Sequence, residues 1–289
     1  MLLSGKARLA GVIGWPVGHS LSPRLHGHWF ERYGIDAAYV PLPVRPEHFE
    51  QAFHALPRLG FLGVNVTIPH KATAFALVDE RDPAAERMGV VNTVLIRPDG
   101  STLGLNTDGF GFMAHLRAAV PAWRPAAGPA AILGTGGGAR AVAAALLEAG
   151  TPALRLANRT RARAQALAAD LARRFPEQPI AVLDWPGRAL ALDGAALCVN
   201  CSSLGMTGEP PLELALDALP RSAPVVDIVY NPLETDLLQA ARARGNPVVD
   251  GLGMLLHQAV PGFRHWGGRA PEVDEEARGC LLEALRLRG

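Results

Sequence analysis

Of the 28 basic residues in this 289-residue chain, two are lysines, Lys6 and Lys71, and the other 26 are arginines. A guanidinium keeps its proton in any protein setting, whereas a partly desolvated ammonium can release one. Lys71 therefore reads as a proton donor or acceptor. It closes Gly63-Val64-Asn65-Val66-Thr67-Ile68-Pro69-His70-Lys71, a polar, tightly turned stretch. The plainer reading of the same residue is a solvated charge on a helix, and its neighbourhood must decide between them.

A second constellation suits a dinucleotide. Ala130-Ala131-Ile132-Leu133 runs into Gly134-Thr135-Gly136-Gly137-Gly138-Ala139-Arg140, in which Gly134, Gly136 and Ala139 fit G-x-G-x-x-A. The first glycine permits a tight turn, the second lets backbone N–H groups approach a pyrophosphate, and the small third residue lets helix and strand pack closely. Glycine loops are often plain turns, but here a strand precedes the loop, a helix follows, and a second strand arrives at Leu154-Arg155-Leu156-Ala157. Where an NAD site would place an acid after that strand, the chain has Asn158-Arg159-Thr160, with Arg163 a turn later. Arginines that fork onto a 2′-phosphate predict NADP as the cofactor. Alternatively, Thr160 caps the helix beginning at Arg161 and the arginines are solvated.

Four polar motifs remain: Gly18-His19-Ser20-Leu21-Ser22-Pro23, Asn65 to Lys71, Val91-Asn92-Thr93 and Asn106-Thr107-Asp108-Gly109. Each falls where a strand or loop meets a helix, the usual place for ligand groups in open α/β folds. Ser20 and Ser22 can hold a carboxylate with neutral donors and a helix N-terminus. Asn65, Thr67 and Asn92 suit the hydroxyl groups of a polyol. Caps and turns explain each of these residues equally well when taken singly.

The elements that must position these groups follow from the apolar pattern. A strand is expected at about 9–13 and then a helix with Ser22 as N-cap, Pro23 at its first position and Leu25, Trp29, Phe30 and Tyr33 at helical spacing. Further strands are expected near 37–44, 61–67 and 93–105, the last bent into a hairpin by Pro98-Asp99-Gly100-Ser101. A helix from about 108 to 120 leads to a Pro-, Ala- and Gly-rich segment, 121–129, where a domain change fits. Beyond it, strands near 130–134, 153–157, 180–184, 195–200, 224–230 and 247–250 alternate with crossovers, the pattern of a parallel, helix-covered sheet. The stretches 254–266 and 271–288 read as helices that pack back onto the first domain.

Composition excludes several classes. With 49% hydrophobic and 19% charged residues and a net charge of +1, the chain reads as globular, with no basic run for nucleic acid. Gly11, Gly14 and Pro16 interrupt the first apolar stretch, which argues against a signal peptide, and no window is apolar enough for a membrane helix. A cytoplasmic location is expected. Cys198 and Cys201 form a Cys-x-x-Cys, but no second pair completes a metal site, and no metal is expected. His19, His26 and His28 read as solvated or hydrogen-bonded.

Together the motifs resemble the shikimate dehydrogenase family over nearly the whole chain. The likeness runs through Ser20, Asn65, Lys71, Asn92, Asp108, the Gly134 loop and Asn158-Arg159-Thr160. It continues to Asn200-Cys201-Ser202-Ser203-Leu204-Gly205-Met206, Asp227-Ile228-Val229-Tyr230-Asn231-Pro232 and Asp250-Gly251-Leu252-Gly253-Met254-Leu255. The resemblance implies NADPH-dependent reduction of 3-dehydroshikimate to shikimate in aromatic amino-acid biosynthesis. It also implies a substrate domain over 1–107 and 251–289 and a Rossmann domain, a doubly wound parallel sheet, over 108–250.

Carried over by position, the resemblance implies that Ser20 and Ser22 bind the carboxylate, and that Asn65, Thr67, Asn92, Asp108, Tyr230 and Gln258 contact the ring substituents. Lys71 and Asp108 become the catalytic pair. Gly251 and Met254, with the backbone around Ile228 and Cys201, would lie against the nicotinamide. The chain departs from the family at Gly27, commonly Asn, and at Cys201-Ser202, commonly Ala-Thr. A ketone reduction leaves negative charge growing on oxygen. Lys71 can meet it with an ammonium while Asp108 holds the amine and accepts from a substrate hydroxyl. Which of the two makes the final proton transfer is left open, as is the oligomeric state, with a homodimer among the options. Two rivals stand beside this reading. One is a quinate/shikimate dehydrogenase with relaxed cofactor use, against which Arg159 argues. The other is a non-catalytic NADPH-binding regulator, against which Lys71 and Asp108 argue.

Overall fold

The computed structural model describes residues 3–287. The chain forms two compact units, one of Met1–Thr107 with Leu256–Gly289, the other of Asp108–Leu255.

In the first unit, β1 (Arg8–Gly14), α1 (Ser22–Arg32), β2 (Ala37–Pro43), α2 (Phe49–Ala55) and β3 (Phe61–Val66) are followed by α3 (Lys71–Leu77), β4 (Glu80–Arg81) and α4 (Pro83–Met88). β5 (Thr93–Ile96) and β6 (Thr102–Leu105) complete the sheet. The strand order is β2-β1-β3-β5-β6-β4. β1 is parallel to β2 and β3, whereas β3, β5 and β6 run antiparallel in turn. That split follows from the connections, since α1 and α2 supply crossovers while a short polar turn joins β5 to β6. Asp99 closes that turn by accepting from Ser101 N at 2.9 Å. β1 and β3 are buried almost continuously, as strands covered on both faces must be. Ile13, Phe49, Phe53, Val64, Val66 and Val94 fill one side.

The start of α1 differs from expectation. Leu21, not Ser22, is the N-cap, and no side chain caps from that position. Ser20 instead accepts from Ser22 N at 3.3 Å, a local serine turn that does the capping one residue early. His26 departs further. It lies at 0% exposure, and among the described residues neither ring nitrogen has a hydrogen-bond partner. Helical register is the reason, because Ser22, Leu25, His26, Trp29 and Phe30 share the inward face of α1. The imidazole stacks on Tyr39 at 4.1 Å and packs against Trp29, Phe263 and Trp266.

Burial pushes the His26 pKa down to about 3 from the usual 6.5, so the folded chain holds it neutral. The unfolded chain binds a proton below about pH 6.5, so stability is fully present above that value and is lost as pH falls toward 3. A loss of about 2 kcal/mol by pH 5 follows from this group alone. His26→Phe should flatten that part of the curve in denaturant titrations at a series of pH values.

The second unit opens with α5 (Asp108–Ala119) and continues through β7 (Ala130–Leu133), α6 (Gly137–Glu148), β8 (Leu154–Ala157), α7 (Arg161–Arg174) and β9 (Ile180–Leu183). β10 (Leu197–Asn200), β11 (Val225–Asp227), α8 (Asp236–Arg244) and β12 (Val248–Val249) follow. All its strand pairs are parallel, in the order β12-β11-β10-β7-β8-β9. The first strand therefore lies mid-sheet and the winding reverses between β7 and β10, the doubly wound arrangement expected. The chain returns to the first unit within α9 (Leu252–Gly267) and ends with α10 (Glu275–Arg286). Asp274 caps α10 by accepting from Ala277 N at 3.0 Å, and Arg32 of α1 reaches the same carboxylate at 2.7 Å. Residues 288 and 289, part of the expected terminal segment, lie outside the described residues.

Candidate functional site

In the second unit the glycine loop leaves the C-terminal end of β7 at the point where the sheet reverses, the place where open α/β sheets bind ligands. Gly134 has φ +97°, and a Cβ there would sit 2.8 Å from the backbone of Cys201 and Ser202. Cys201 N donates to Leu133 O at 2.7 Å, which brings the β7 and β10 ends together. Gly134→Ala should therefore cost about 1–3 kcal/mol, a fall of roughly 3–10 °C in melting temperature. Calorimetry with and without NADPH would check this, and the cofactor-induced rise should shrink in the variant.

Gly136 is the N-cap of α6, and a Cβ at Gly136 or Gly137 would meet nothing within 4 Å. A Cβ at Gly138 would lie 2.8 Å from Ile228 Cδ1, while Ala139 is fully buried. Open space thus lies over the helix N-terminus, with close packing just behind it. Neither α6 nor α7 has an acid in its first turn, which suits an anion. After β8, Asn158 Nδ2 donates to Thr160 O at 2.9 Å and shapes the turn. Thr160 is the N-cap of α7 but makes no side-chain capping bond, so capping does not account for its hydroxyl. Arg159 and Arg163 are exposed, and among the described residues neither has an ion-pair partner. Arg161 pairs with Asp184, and Arg140 with Asp170.

The ends of β10 and β11 are fixed by a buried pair, Asn200 and Asp227, which the sequence reading quotes within the family motifs but gives no role. Asp227 accepts from Thr235 Oγ1 at 2.7 Å, Asn200 Nδ2 at 3.0 Å and Val229 N at 3.0 Å. Burial pushes its carboxyl up and these three donors oppose that. Asn200 also takes Ser202 N and Oγ on its Oδ1. Cys201 and Ile228, each beside a member of this pair, are held accordingly. Polar residues closing apolar strands were the available signal. A Cβ on Gly251 would strike Ile228 O at 2.4 Å, so that backbone passes directly against the β11 loop. Met254 and Tyr230 are half-buried in the same unit. Cys198 and Cys201 are buried free thiols, and burial raises the Cys198 pKa to about 12.

In the first unit Lys71 opens α3 and is half-buried. The turn before it is anchored on both sides. His70 stacks on Phe49 at 4.2 Å with its Nε2 2.7 Å from Val44 O, and Thr67 N donates to Ile13 O at 3.0 Å. Lys71 O accepts from Val91 N, and Val66 N donates to Asn92 O at 2.7 Å, so the Lys71 and Asn92 motifs are laced together. Asn65 Nδ2 donates to Thr93 Oγ1 at 2.9 Å and to Asn92 O at 3.3 Å. Asn92 accepts from Thr107 N at 2.9 Å and donates to Thr107 Oγ1 at 3.0 Å. Ser22, Asn65, Asn92 and Gln258 are buried, while Ser20 and Thr67 are half-buried. Asp108, the residue after Thr107, begins α5 and is buried. The sequence reading missed how far the two asparagines serve their own protein, because their partners Thr93 and Thr107 look like ordinary strand and loop residues.

A model of the shikimate dehydrogenase substrate-binding domain matches residues 12–94. The NADP(+) shikimate dehydrogenase of Paramagnetospirillum magneticum is 59% identical over 280 residues, covering 97% of this chain and 100% of that one. The chain belongs to the shikimate dehydrogenase family. Among solved structures, the quinate dehydrogenase of Corynebacterium glutamicum in complex with NAD superposes with TM-score 0.89 at 32% identity. It covers 96% of this chain and 99% of that one. The shikimate 5-dehydrogenase of Thermus thermophilus, in complex with NADP(H) and shikimate, gives 0.81 at 36% identity, covering 94% and 99%. Among the described residues no helix is long and apolar enough to cross a membrane.

Proposed function

We propose that the chain reduces 3-dehydroshikimate to shikimate with NADPH, a step of aromatic amino-acid biosynthesis. The observation that carries the reading is the 59% identity to an NADP(+) shikimate dehydrogenase along nearly the whole chain. The quinate alternative has a structural neighbour in its favour. Asn158-Arg159-Thr160, with two exposed guanidinium groups nearby and no acid at the head of α7, supports NADP over NAD.

The cofactor is assigned to Gly134, Thr135, Gly136, Gly137, Gly138 and Ala139, with Asn158, Arg159, Thr160 and Arg163 taking the 2′-phosphate. Cys201, Ile228, Gly251 and Met254 are assigned to the nicotinamide. NADPH bound there supplies the hydride. Ser20 and Ser22 hold the carboxylate using the N-terminus of the 11-residue α1. Asn65, Thr67, Asn92, Tyr230 and Gln258 orient the ring hydroxyls. Lys71 stabilises the oxygen on which charge develops and passes it a proton, while Asp108 orients the amine and accepts from the neighbouring hydroxyl. The chain is assigned to the cytoplasm, and a homodimer is the assembly to be tested by sedimentation.

Incubation with 3-dehydroshikimate and NADPH carrying deuterium at the transferable position tests the reading. Shikimate bearing one deuterium is expected. Recovery of unreduced ketone, or of unlabelled product, overturns it.

A further inference from the structure

Asp184 has no place in the cofactor assignment above, yet sheet register sets it beside the turn assigned to the 2′-phosphate. β8 and β9 run parallel with Ala157 opposite Leu183, so their C-terminal ends are level. Asn158 and Asp184 come next on the two strands, and neighbouring strands lie about 5 Å apart. The Asn158-Arg159-Thr160 turn and a carboxylate therefore leave the sheet side by side. The β9 end is held in place. Gly187 N donates to Asp184 O at 3.0 Å, and Arg188 donates to Trp185 O at 2.9 Å while its guanidinium lies over the Trp185 ring at 4.8 Å. Arg188 is thus committed to the loop itself, and among the described residues the ion partner of Asp184 is Arg161.

Arg161 is the first residue of α7 and falls between Arg159 and Arg163 in sequence, so three guanidinium groups gather at the head of that helix. Asp184 cancels one of them. The two side chains are well exposed, at 48% for Arg161 and 67% for Asp184, and an ion pair in water adds little to the stability of a fold. What such a pair does change is the local charge that an anion meets. We propose that Asp184 is a specificity-determining residue. By neutralising Arg161 it leaves the 2′-phosphate one positive charge fewer than the helix head carries, and so limits the preference for NADP over NAD. This rests on the NADP reading proposed above. Arg159 and Arg163 set the preference, and Asp184 sets its ceiling.

Calorimetric titration with adenosine 2′,5′-bisphosphate tests this without turnover, and 5′-AMP serves as the control that lacks the 2′-phosphate. Asp184→Asn removes the charge and keeps the shape. It should tighten the bisphosphate about three- to tenfold with AMP moving less than about twofold, the scale of one charge near a dianion in water. Arg161→Ala should weaken the bisphosphate by a similar factor, because it leaves the carboxylate unmasked. The double variant should return to within about twofold of the unsubstituted chain, since it restores the same net charge. Retained AMP binding shows that the nucleotide site is intact in each variant.

An Asp184→Asn chain that binds the bisphosphate no better overturns the proposal. So does a double variant as weak as Arg161→Ala, which would make Arg161 itself the phosphate ligand. If Arg159→Ala leaves the bisphosphate unaffected, the NADP reading falls and this inference with it. A bisphosphate weakened by Arg159→Ala but indifferent to Asp184→Asn overturns this inference alone.

Discussion

Replacing Lys71 with alanine is expected to lower turnover by about 10² to 10⁴-fold while NADPH affinity stays within about twofold. Lys71 O accepts from Val91 N, and alanine keeps that backbone bond. Alanine is also at least as good a helix former at the head of α3. On the proposed assignment, what disappears is the ammonium that meets charge growing on the substrate oxygen, the kind of interaction that is stronger in the transition state than in the ground state. Lys71→Arg separates the two parts of the role, because a guanidinium keeps the charge and cannot give up a proton. Rapid-mixing measurement of NADPH oxidation, paired with a fluorescence titration of NADPH, checks the split between chemistry and binding. Unchanged turnover in the alanine variant would remove Lys71 from the reaction.

The second large effect concerns the cofactor. Arg159→Ala should weaken NADPH by about 10- to 100-fold while NADH binding scarcely changes, the usual scale for a charge-assisted contact to a dianion. Its neighbours cannot readily replace it. Arg161 is paired with Asp184, and Asn158 is turned onto Thr160 O, which leaves Arg163 as the remaining guanidinium on that turn with no ion partner among the described residues. Combining Arg159→Ala with Arg163→Ala should bring the two cofactors close to parity. Equal losses for NADPH and NADH in the single variant, measured by titration at one ionic strength, would mark Arg159 as a surface charge.

The parts of this protein that could be read from sequence are those governed by local rules. The apolar pattern located the strands of both sheets except the two-residue β4 (Glu80–Arg81), too short to show a pattern, and the glycine loop announced its turn because Gly134 needs a backbone conformation that other residues rarely adopt. The N-cap of α1 falls at Leu21, one residue before Ser22, because the Ser20 hydroxyl takes the Ser22 N–H and so does the work expected of the Ser22 side chain. The burial of His26 was obscured by its polarity, although its place among Ser22, Leu25, Trp29 and Phe30 on one helical face already pointed inward. The hydrogen bonds around Asn65 were out of reach for a different reason. Its partners Tyr39 and Thr93 lie 26 and 28 residues away, and nothing in either local sequence marks them as partners. The buried Asp227 with Asn200 and Thr235 is of the same kind, a polar cluster made by sheet register.

The account's central claim is that this chain moves hydride between shikimate and NADP in preference to any near substitute. The most direct measurement is the initial rate of NADPH formation, followed by its near-ultraviolet absorbance, with the unsubstituted chain, shikimate and NADP. The same rate is then taken with quinate in place of shikimate and with NAD in place of NADP. The account predicts a kcat/KM highest for shikimate with NADP and lower by at least about tenfold on either replacement, a difference of about 1.4 kcal/mol in transition-state binding. No NADPH formation, or a rate with quinate and NAD equal to that with shikimate and NADP, would contradict it.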